Sequence, residues 1–232
     1  MTAIDDAEET VGPTARLPLS AAMRIGSQAE HRDAEGSSFM SELLAGRVDE
    51  QGYADYLLRL HAVYSAMESA VRARADDDTV AAVHDPALER LDAIEADLRH
   101  WSPGGRRVVD SPAAEAYRAR LEHAAHHGRL LVAHHYTRYL GDLSGGQAIG
   151  RILDRAFGLG GQGLAFYDFP AIPRPKPYKD AYRARLDALG LPTHQRDEVV
   201  VEVRTAFRLN LALFAELGEH LASYVRRDRT PG

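Results

Sequence analysis

Residues 130–153 read LLVAHHYTRYLGDLSGGQAIGRIL, and this stretch decides the fold. Its apolar residues recur at helical spacing and no proline interrupts them, which predicts one continuous helix. Four glycines nevertheless fall inside it, at positions 141, 145, 146 and 150. An interior glycine costs a helix roughly 1 kcal/mol relative to alanine, so four cost about 3–4 kcal/mol. We therefore expect that another group approaches this backbone closely or that the helix bends.

The spacing of the glycines and of two charged residues defines one face of this helix. Gly141 and Gly145 are four residues apart and leave a bare groove on a shared face. Arg138 and Asp142 have the same spacing, so we expect an ion pair beside the groove. Two interpretations fit this pattern equally. One is a flat ligand lying on a glycine floor, and the other is helix packing through small residues, or a helix broken near Ser144.

Length and composition limit the class of protein. A chain of 232 residues suits one domain, which we assign to residues 18–226 with disordered tails at 1–17 and 227–232. The net charge of −6 gives no reason to expect nucleic acid as a partner. The chain has no cysteine, which excludes disulfides, thiolate ligands to iron and a cysteine nucleophile.

The sequence also predicts where the protein resides. No segment reaches the roughly 18 consecutive apolar residues of a membrane span, and the acidic N-terminus does not resemble a signal peptide. We therefore expect a cytoplasmic protein with no membrane anchor.

The rest of the chain predicts further helices and no strand, so the expected fold class is all-α. Capping residues, proline starts and glycine stops mark the expected helix ends. The expected helices are 20–35, 38–45, a helix capped by Asp49 that ends near 75, one from Asp85-Pro86 to 101, one from Ser111-Pro112 to about 128, 178–189 and 193–226.

The run HHYTRYLGDLSGGQ resembles the signature of the heme oxygenase family, the soluble bacterial members most of all. The match is long and unbroken. The resemblance implies a single-domain, multi-helix fold that holds heme between a proximal helix and a glycine-rich distal helix.

His31 is the candidate ligand to the heme iron. It is one of eleven histidines, and its local distinction is Glu35, four residues further on the same helix face. A carboxylate there can accept a hydrogen bond from one ring nitrogen and leave the other free for a metal. The segment EHRDAEGSSFM resembles the proximal helix of the family, and this resemblance makes His31 the axial ligand.

The resemblance also supplies partners for the two heme propionates. These are Arg24, Tyr136, Lys179 and Arg183. Lys179 and Arg183 are four residues apart, as a two-point clamp requires, although a solvated basic face has the same spacing. Arg24 stands where the family usually has lysine.

Other heme contacts are implied in the same way. Thr137 and Gly146 belong to the signature, and Phe207 belongs to TAFRLNLALF, which resembles the last helix of the family. In that helix an aromatic residue lines the macrocycle, although ordinary core packing also explains Phe207. Tyr64 corresponds to a family tyrosine near the distal water network, and it equally fits a core tyrosine.

The resemblance implies an enzyme that uses heme as both cofactor and substrate. Oxygen and electrons from a ferredoxin or a flavoprotein reductase open the ring and give biliverdin, carbon monoxide and ferrous iron. Gly141 and Gly145 let the backbone approach the iron-bound oxygen. We expect Asp142 to hold an ordered water that delivers a proton, with Arg138 fixing the carboxylate.

Three alternatives compete with this reading. A non-catalytic heme carrier or store would share His31 and the cations but would not need Asp142 together with the glycine floor. A thiaminase-type hydrolase, whose family has a related all-α fold, would need a cysteine nucleophile, and the chain has none. A helical interaction protein would use the small-residue face. A metal site at His123, His126 and His127 is less favoured than a surface cluster, and no Glu-x-x-His motif supports a di-iron centre.

Overall fold

The computed structural model describes residues 17–105 and 107–225, and over these residues the fold is all-α, as predicted. Apart from Leu17, the predicted tails lie outside the described residues. The only β-type pairing among the described residues is an isolated bridge between Val48 and Val225. The helices are α1 (Leu19–Gly26), α2 (Gln28–Glu35), α3 (Ser38–Leu44), α4 (Glu50–Ala73), α5 (Asp78–Ala81), α6 (Leu91–Trp101), α7 (Pro112–Ala124), α8 (Gly128–Gly141), α9 (Gln147–Phe157), α10 (Pro175–Asp187), α11 (Thr193–Glu219) and α12 (Leu221–Tyr224).

Helix α8 lies at the centre of the fold. Every residue from Leu131 to Leu140 is buried, including the polar ones. Helix α8 packs against α4, α5, α7 and α11, so no side of it faces solvent over this length. A helix buried on all sides must satisfy its polar side chains internally, and α8 does so largely through α4, α10 and α11.

Side-chain caps begin several helices where the sequence predicts them. Asp49 accepts a hydrogen bond from the Gly52 amide at 2.8 Å, and Ser111 accepts one from the Ala114 amide at 3.1 Å. Asp85 also caps the turn that follows it, but that turn is a short 3₁₀ segment, Pro86–Leu88, and helix α6 begins only at Leu91.

The predicted first helix, 20–35, is wrong in one respect, because it is two helices that meet at Ser27. The Ser27 hydroxyl donates to the Met23 carbonyl at 2.8 Å. Arg204 of α11 donates to the Gly26 carbonyl at 2.5 Å, so this carbonyl is satisfied where the first helix ends. The first of these helices also begins one residue earlier than predicted, at Leu19.

Three other predicted boundaries differ from the structure. Helix α7 ends at Ala124 instead of about residue 128. Helix α10 begins at Pro175 instead of residue 178, because proline fits the first turn of a helix. The predicted helix 193–226 ends at Glu219, and α12 follows as a separate short turn.

The glycine-rich stretch is helical throughout but not regular. A π-helical turn, Asp142–Gly146, connects α8 to α9. Such wide turns occur frequently at functional sites. The prediction of one continuous helix is confirmed, and its irregularity takes the form of this π-helical turn.

No helix among the described residues combines the length and the apolar character needed to cross a membrane.

Candidate functional site

Two adjoining cavities separate α1 and α2 from the C-terminal half of α8 and the π-helical turn. Their volumes are about 380 Å³ and about 140 Å³, and their walls share His31, Thr137, Gly141 and Phe207. Ligand pockets typically measure about 300–1,000 Å³, so the joined space suits one medium-sized ligand. The candidate residues that line it are Arg24, His31, Glu35, Tyr136, Thr137, Arg138, Gly141, Asp142, Gly145, Gly146, Arg183 and Phe207.

The proximal wall is formed by α2 and carries His31. The Nδ1 atom of His31 lies 3.4 Å from a carboxylate oxygen of Glu35, and their side chains are 50% and 66% exposed. This contact leaves Nε2 as the nitrogen available to a metal. The Phe207 ring of α11 packs edge-on to the imidazole, with 5.3 Å between ring centroids. The spacing prediction for His31 and Glu35 is confirmed as a contact.

The four glycines of the opposite wall divide into two pairs. A Cβ atom placed on Gly141 or Gly145 would meet nothing within 4 Å, so these two residues form an open floor. On Gly146 or Gly150 it would lie 3.2 Å or 3.1 Å from Tyr167. Gly141 and Gly145 therefore provide the open floor that a flat ligand would need, whereas Gly146 and Gly150 let the Tyr167 ring pack closely on the backbone.

A buried polar network lies beside the glycine floor. The Tyr64 hydroxyl donates to the Asp142 carboxylate, and Arg138 Nε donates to the Tyr64 oxygen at 3.1 Å. Arg138 also donates to the Asn210 side-chain oxygen at 2.7 Å and lies 3.7 Å from Asp142. The predicted ion pair is present, but the direct hydrogen-bond donor to Asp142 is Tyr64 of α4.

Burial controls the protonation of this network. Burial raises the pKa of Asp142, while the Arg138 guanidinium and the Tyr64 hydroxyl oppose the rise. Burial also raises the pKa of Tyr64 well above its ordinary value, so its phenol keeps its proton. The site thus contains a carboxyl group that binds a proton more readily than a solvated aspartate, next to a permanent cation.

Cationic side chains lie at one edge of the larger cavity. Arg24 and Arg183 line this edge together with the Tyr136 ring. Arg183 also donates to Asp180 at 3.1 Å. Lys179 does not line the cavity itself but donates to the Ser144 hydroxyl at 2.8 Å. The structure therefore brings three of the four proposed propionate partners to one edge and places Lys179 beside it.

Sequence reasoning missed part of the apolar wall. Tyr56, Phe166, Tyr167 and Met40 line the smaller cavity, and Ser144 lines the larger one. Phe166 and Tyr167 come from the aromatic segment after α9, for which the sequence predicts no helix. The approach of Tyr167 to Gly146 and Gly150 depends on long-range packing, which periodicity does not encode.

The other histidines serve different purposes. His134 and His135 are buried in α8 and contact Glu202 and the Tyr182 hydroxyl at 2.7 Å and 2.8 Å. Burial lowers the pKa of His135 to about 3, so its ring is neutral. In the described part of the chain no three His, Asp or Glu side chains are grouped to hold a metal ion.

Comparison with known proteins points to one family. The model of the heme oxygenase family matches residues 17–216. Heme oxygenase 2 of Synechocystis is 35% identical over 229 residues, covering 92% of each chain. Heme oxygenase 1 of Rattus norvegicus is 37% identical and covers 92% of this chain and 75% of its own.

Solved structures give the same result for the fold. The structure of Synechocystis heme oxygenase-2 in complex with heme and NO matches with a TM-score of 0.85 and 34% identity, covering 89% of this chain and 88% of its own. The heme oxygenase of Leptospira interrogans matches with a TM-score of 0.82 and 31% identity, covering 86% of this chain and 100% of its own.

Proposed function

This chain belongs to the heme oxygenase family, and from that premise we propose that it cleaves heme with oxygen and reducing equivalents to biliverdin, carbon monoxide and ferrous iron. The observation that carries the proposal is the cavity between His31 and the open backbone at Gly141 and Gly145. An imidazole on one wall and a side-chain-free strip on the other fit a flat ring that carries iron.

The proximal wall fits an iron ligand. The Glu35 carboxylate faces Nδ1 of His31 and would orient the imidazole so that Nε2 could hold the heme iron. A neutral imidazole is the ligand typical of proteins that bind oxygen at heme.

The distal wall fits the requirements of the reaction. When bound, heme supplies the iron that activates oxygen and the ring that is opened. Gly141 and Gly145 place no side chain on the distal wall, so backbone groups would lie close to the distal face of a bound heme. Asp142 holds an ordered water and passes a proton to it, while Tyr64 and Arg138 fix the carboxylate. Because burial raises the pKa of Asp142, this carboxyl binds a proton more readily than a solvated aspartate, as a group that passes on a proton requires.

The cationic edge orients the ring. Arg24, Arg183 and Tyr136 bind the carboxylates of the two propionates, and Lys179 can reach them by leaving Ser144. These contacts would hold the heme in one rotational orientation in the cavity and thereby select which carbon of its ring is attacked. Thr137, Gly146 and Phe207 complete the walls.

The cationic edge also suits an electron donor. An acidic ferredoxin or flavoprotein reductase complements the exposed arginines in charge and would dock near the exposed edge of the heme. The cytoplasmic location stays a prediction from the sequence.

Addition of hemin followed by a reductant under air tests the function. We expect a Soret band on binding, and then its loss with growth of a biliverdin band. A Soret band that persists through reduction and reoxidation would identify a heme store and contradict the proposal.

Asp142→Ala tests the distal proton donor. We expect heme to bind with unchanged stoichiometry and biliverdin formation to fall by about 10²-fold, the lower end of what a positioned acid contributes. Biliverdin formation at the parent rate would show that Asp142 has no such role.

Arg183→Glu tests the cationic edge. The reversed charge repels a propionate, so we expect a changed ratio of biliverdin isomers, measured by chromatography of the product. An unchanged ratio with intact heme binding would contradict the clamp.

A further inference from the structure

Helix α10 carries two of the four proposed propionate partners, Lys179 and Arg183. It packs against α1 and the π-helical turn, which both contribute to the walls of the larger cavity. Lys179 donates to Ser144 of that turn, and Arg183 donates to Asp180 on α10 itself. A propionate that binds the two cations competes with both contacts, so these contacts do not hold α10 in place once heme is bound.

A second face of α10 attaches the helix to one short segment of the chain, residues 82–85. The Tyr178 hydroxyl donates to the Asp85 carboxylate at 2.6 Å, and Arg185 Nε donates to the Ala82 carbonyl at 2.7 Å. The Arg185 guanidinium also lies over the Tyr178 ring, 6.0 Å from its centroid. Tyr178 and Arg185 are about two helical turns apart, so the two hydrogen bonds hold α10 at two points along its length.

The segment 82–85 is itself fixed in the fold. The Val83 side chain is fully buried, and the second carboxylate oxygen of Asp85 accepts a hydrogen bond from the Ala87 amide at 2.9 Å. The Asp85 carboxylate therefore joins the 3₁₀ turn that follows it to α10. Burial raises the pKa of Tyr178, and the hydrogen bond to Asp85 raises it further, so the phenol keeps its proton and acts as the donor.

Between the two points of attachment, Tyr182 connects α10 to the central helix. Its ring is fully buried, and its hydroxyl lies 2.8 Å from Nδ1 of His135 in α8. Tyr178 and Tyr182 are four residues apart and share a face. Lys179 and Arg183 each follow one residue later, about 100° further round the helix. A rotation of α10 about its axis at Tyr182 would therefore move both cations, and the hydrogen bond of Tyr178 opposes that rotation.

We propose that the Tyr178–Asp85 hydrogen bond is a specificity-determining contact, which fixes the rotation of α10 and thereby the orientation in which its two cations hold heme. Tyr178 and Asp85 are positioning residues, because neither is among the residues that line the two cavities. The inference rests on the proposed function and deepens it, since the orientation of the ring selects the carbon that is attacked.

The contact is tested first in the heme-free protein by hydrogen–deuterium exchange. Tyr178→Phe removes the donor and keeps the ring, so we expect the amides of α10 to exchange about fivefold faster, as for the loss of one hydrogen bond. Tyr224→Phe is the matched control, because Tyr224 of α12 donates to Asp55 at the same distance, 2.6 Å. It should leave exchange in α10 unchanged. Equal exchange in the parent and in Tyr178→Phe would overturn the proposal.

The orientation of heme is tested in the heme-loaded protein. The heme methyl resonances of the ferric, cyanide-bound protein report the rotation of the ring by proton NMR without turnover. We expect Tyr178→Phe to shift them and to increase the minor biliverdin isomer about twofold, the lower end of what one hydrogen bond contributes. Tyr224→Phe should change neither. Asp85→Asn keeps an amide that can donate to the phenol oxygen, so it should stay close to the parent in both measurements.

The measurements separate positioning from stability and from the proposed function. Faster exchange in α10 with unchanged methyl resonances and an unchanged isomer ratio would show that the contact stabilises the helix without orienting heme, and this would refute the proposal. If the parent protein forms no biliverdin, the proposed function fails, while the exchange rates and the methyl resonances still decide whether the contact positions α10 and heme.

Discussion

The two walls of the cavity differ in how they are held. The proximal His31 and Glu35 lie on a short helix with side chains 50% and 66% exposed, whereas the distal Arg138 and Asp142 have side chains 8% and 10% exposed. The proximal pair makes one long contact. The distal pair belongs to a hydrogen-bonded network that includes Tyr64 of α4. A substitution on the proximal wall should therefore change ligand binding with little effect on the stability of the fold. A substitution in the distal network should change both.

The largest effect on stability is expected from Arg138→Met. This change leaves Asp142 buried without its cation and Asn210 without its donor. Removing one partner of a buried ion pair typically costs about 3–5 kcal/mol. Denaturant unfolding of the heme-free protein measures the loss. A loss below about 1 kcal/mol would mean that the distal wall is not coupled to the fold.

Glu202→Gln should show the next largest effect, and it should depend on pH. The ordinary pKa of this carboxyl is 4.5, and His134 and Arg120 hold it at about 2 in the folded protein against the effect of burial. A pKa lowered by folding stabilises the protein above about pH 4.5, and this contribution disappears as the pH falls to about 2.

The variant should therefore be less stable than the parent by up to about 3 kcal/mol at pH 7, and the difference should shrink on acidification. Unfolding measured between pH 7 and pH 2 checks this. A constant difference across that range would contradict an ionised Glu202 in the folded state.

The two pairs of glycines should differ in how much stability the protein gains when one of them is replaced by alanine. Gly145→Ala places a methyl group in open space and should stabilise the heme-free protein by roughly 0.5–1 kcal/mol through helix propensity, while weakening heme binding. Gly150→Ala meets Tyr167 at 3.1 Å and should lose most of that gain. Thermal unfolding and hemin titration of both variants measure the contrast, and equal gains in both would contradict it.

The smallest effect on stability is expected from His31→Ala. An exposed side chain contributes within about 0.5 kcal/mol, yet this change should remove the axial ligand and alter the absorption spectrum of bound heme. Arg32→Ala, one residue away on the same exposed helix, is the control and should leave the spectrum unchanged. An unaltered spectrum in His31→Ala would show that another group binds the iron.

Local spacing predicted the contacts that span one helical turn. The pairs His31–Glu35 and Arg138–Asp142 follow from helix geometry alone. The partners that fix Asp142 and Lys179 could not be found in this way. Tyr64 is 78 residues from Asp142, and Ser144 is 35 residues from Lys179, so their contacts depend on how the helices pack.

The irregular parts of the helices were also beyond local reasoning. The break at Ser27 depends on Arg204, which is remote in sequence and donates to the Gly26 carbonyl. The π-helical turn contains Gly145 and Gly146, which disfavour a regular helix without specifying its alternative, and the Tyr167 ring from the segment after α9 packs on Gly146. The glycines indicate that the backbone here departs from a regular helix, but whether it bends, breaks or widens into a π-helical turn depends on tertiary packing.

The π-helical turn has a consequence for how this chain tolerates changes in length. Each hydrogen bond of such a turn spans five residues, one more than in an α-helix, so the turn holds one extra residue. A one-residue deletion elsewhere in α8 would rotate everything after it by about 100° about the helix axis. A deletion within Asp142–Gly146 would instead convert the turn to regular helix and leave α9 facing the same neighbours. This segment is therefore the place in the central helix where evolution can insert or remove a residue without disturbing the packing beyond it.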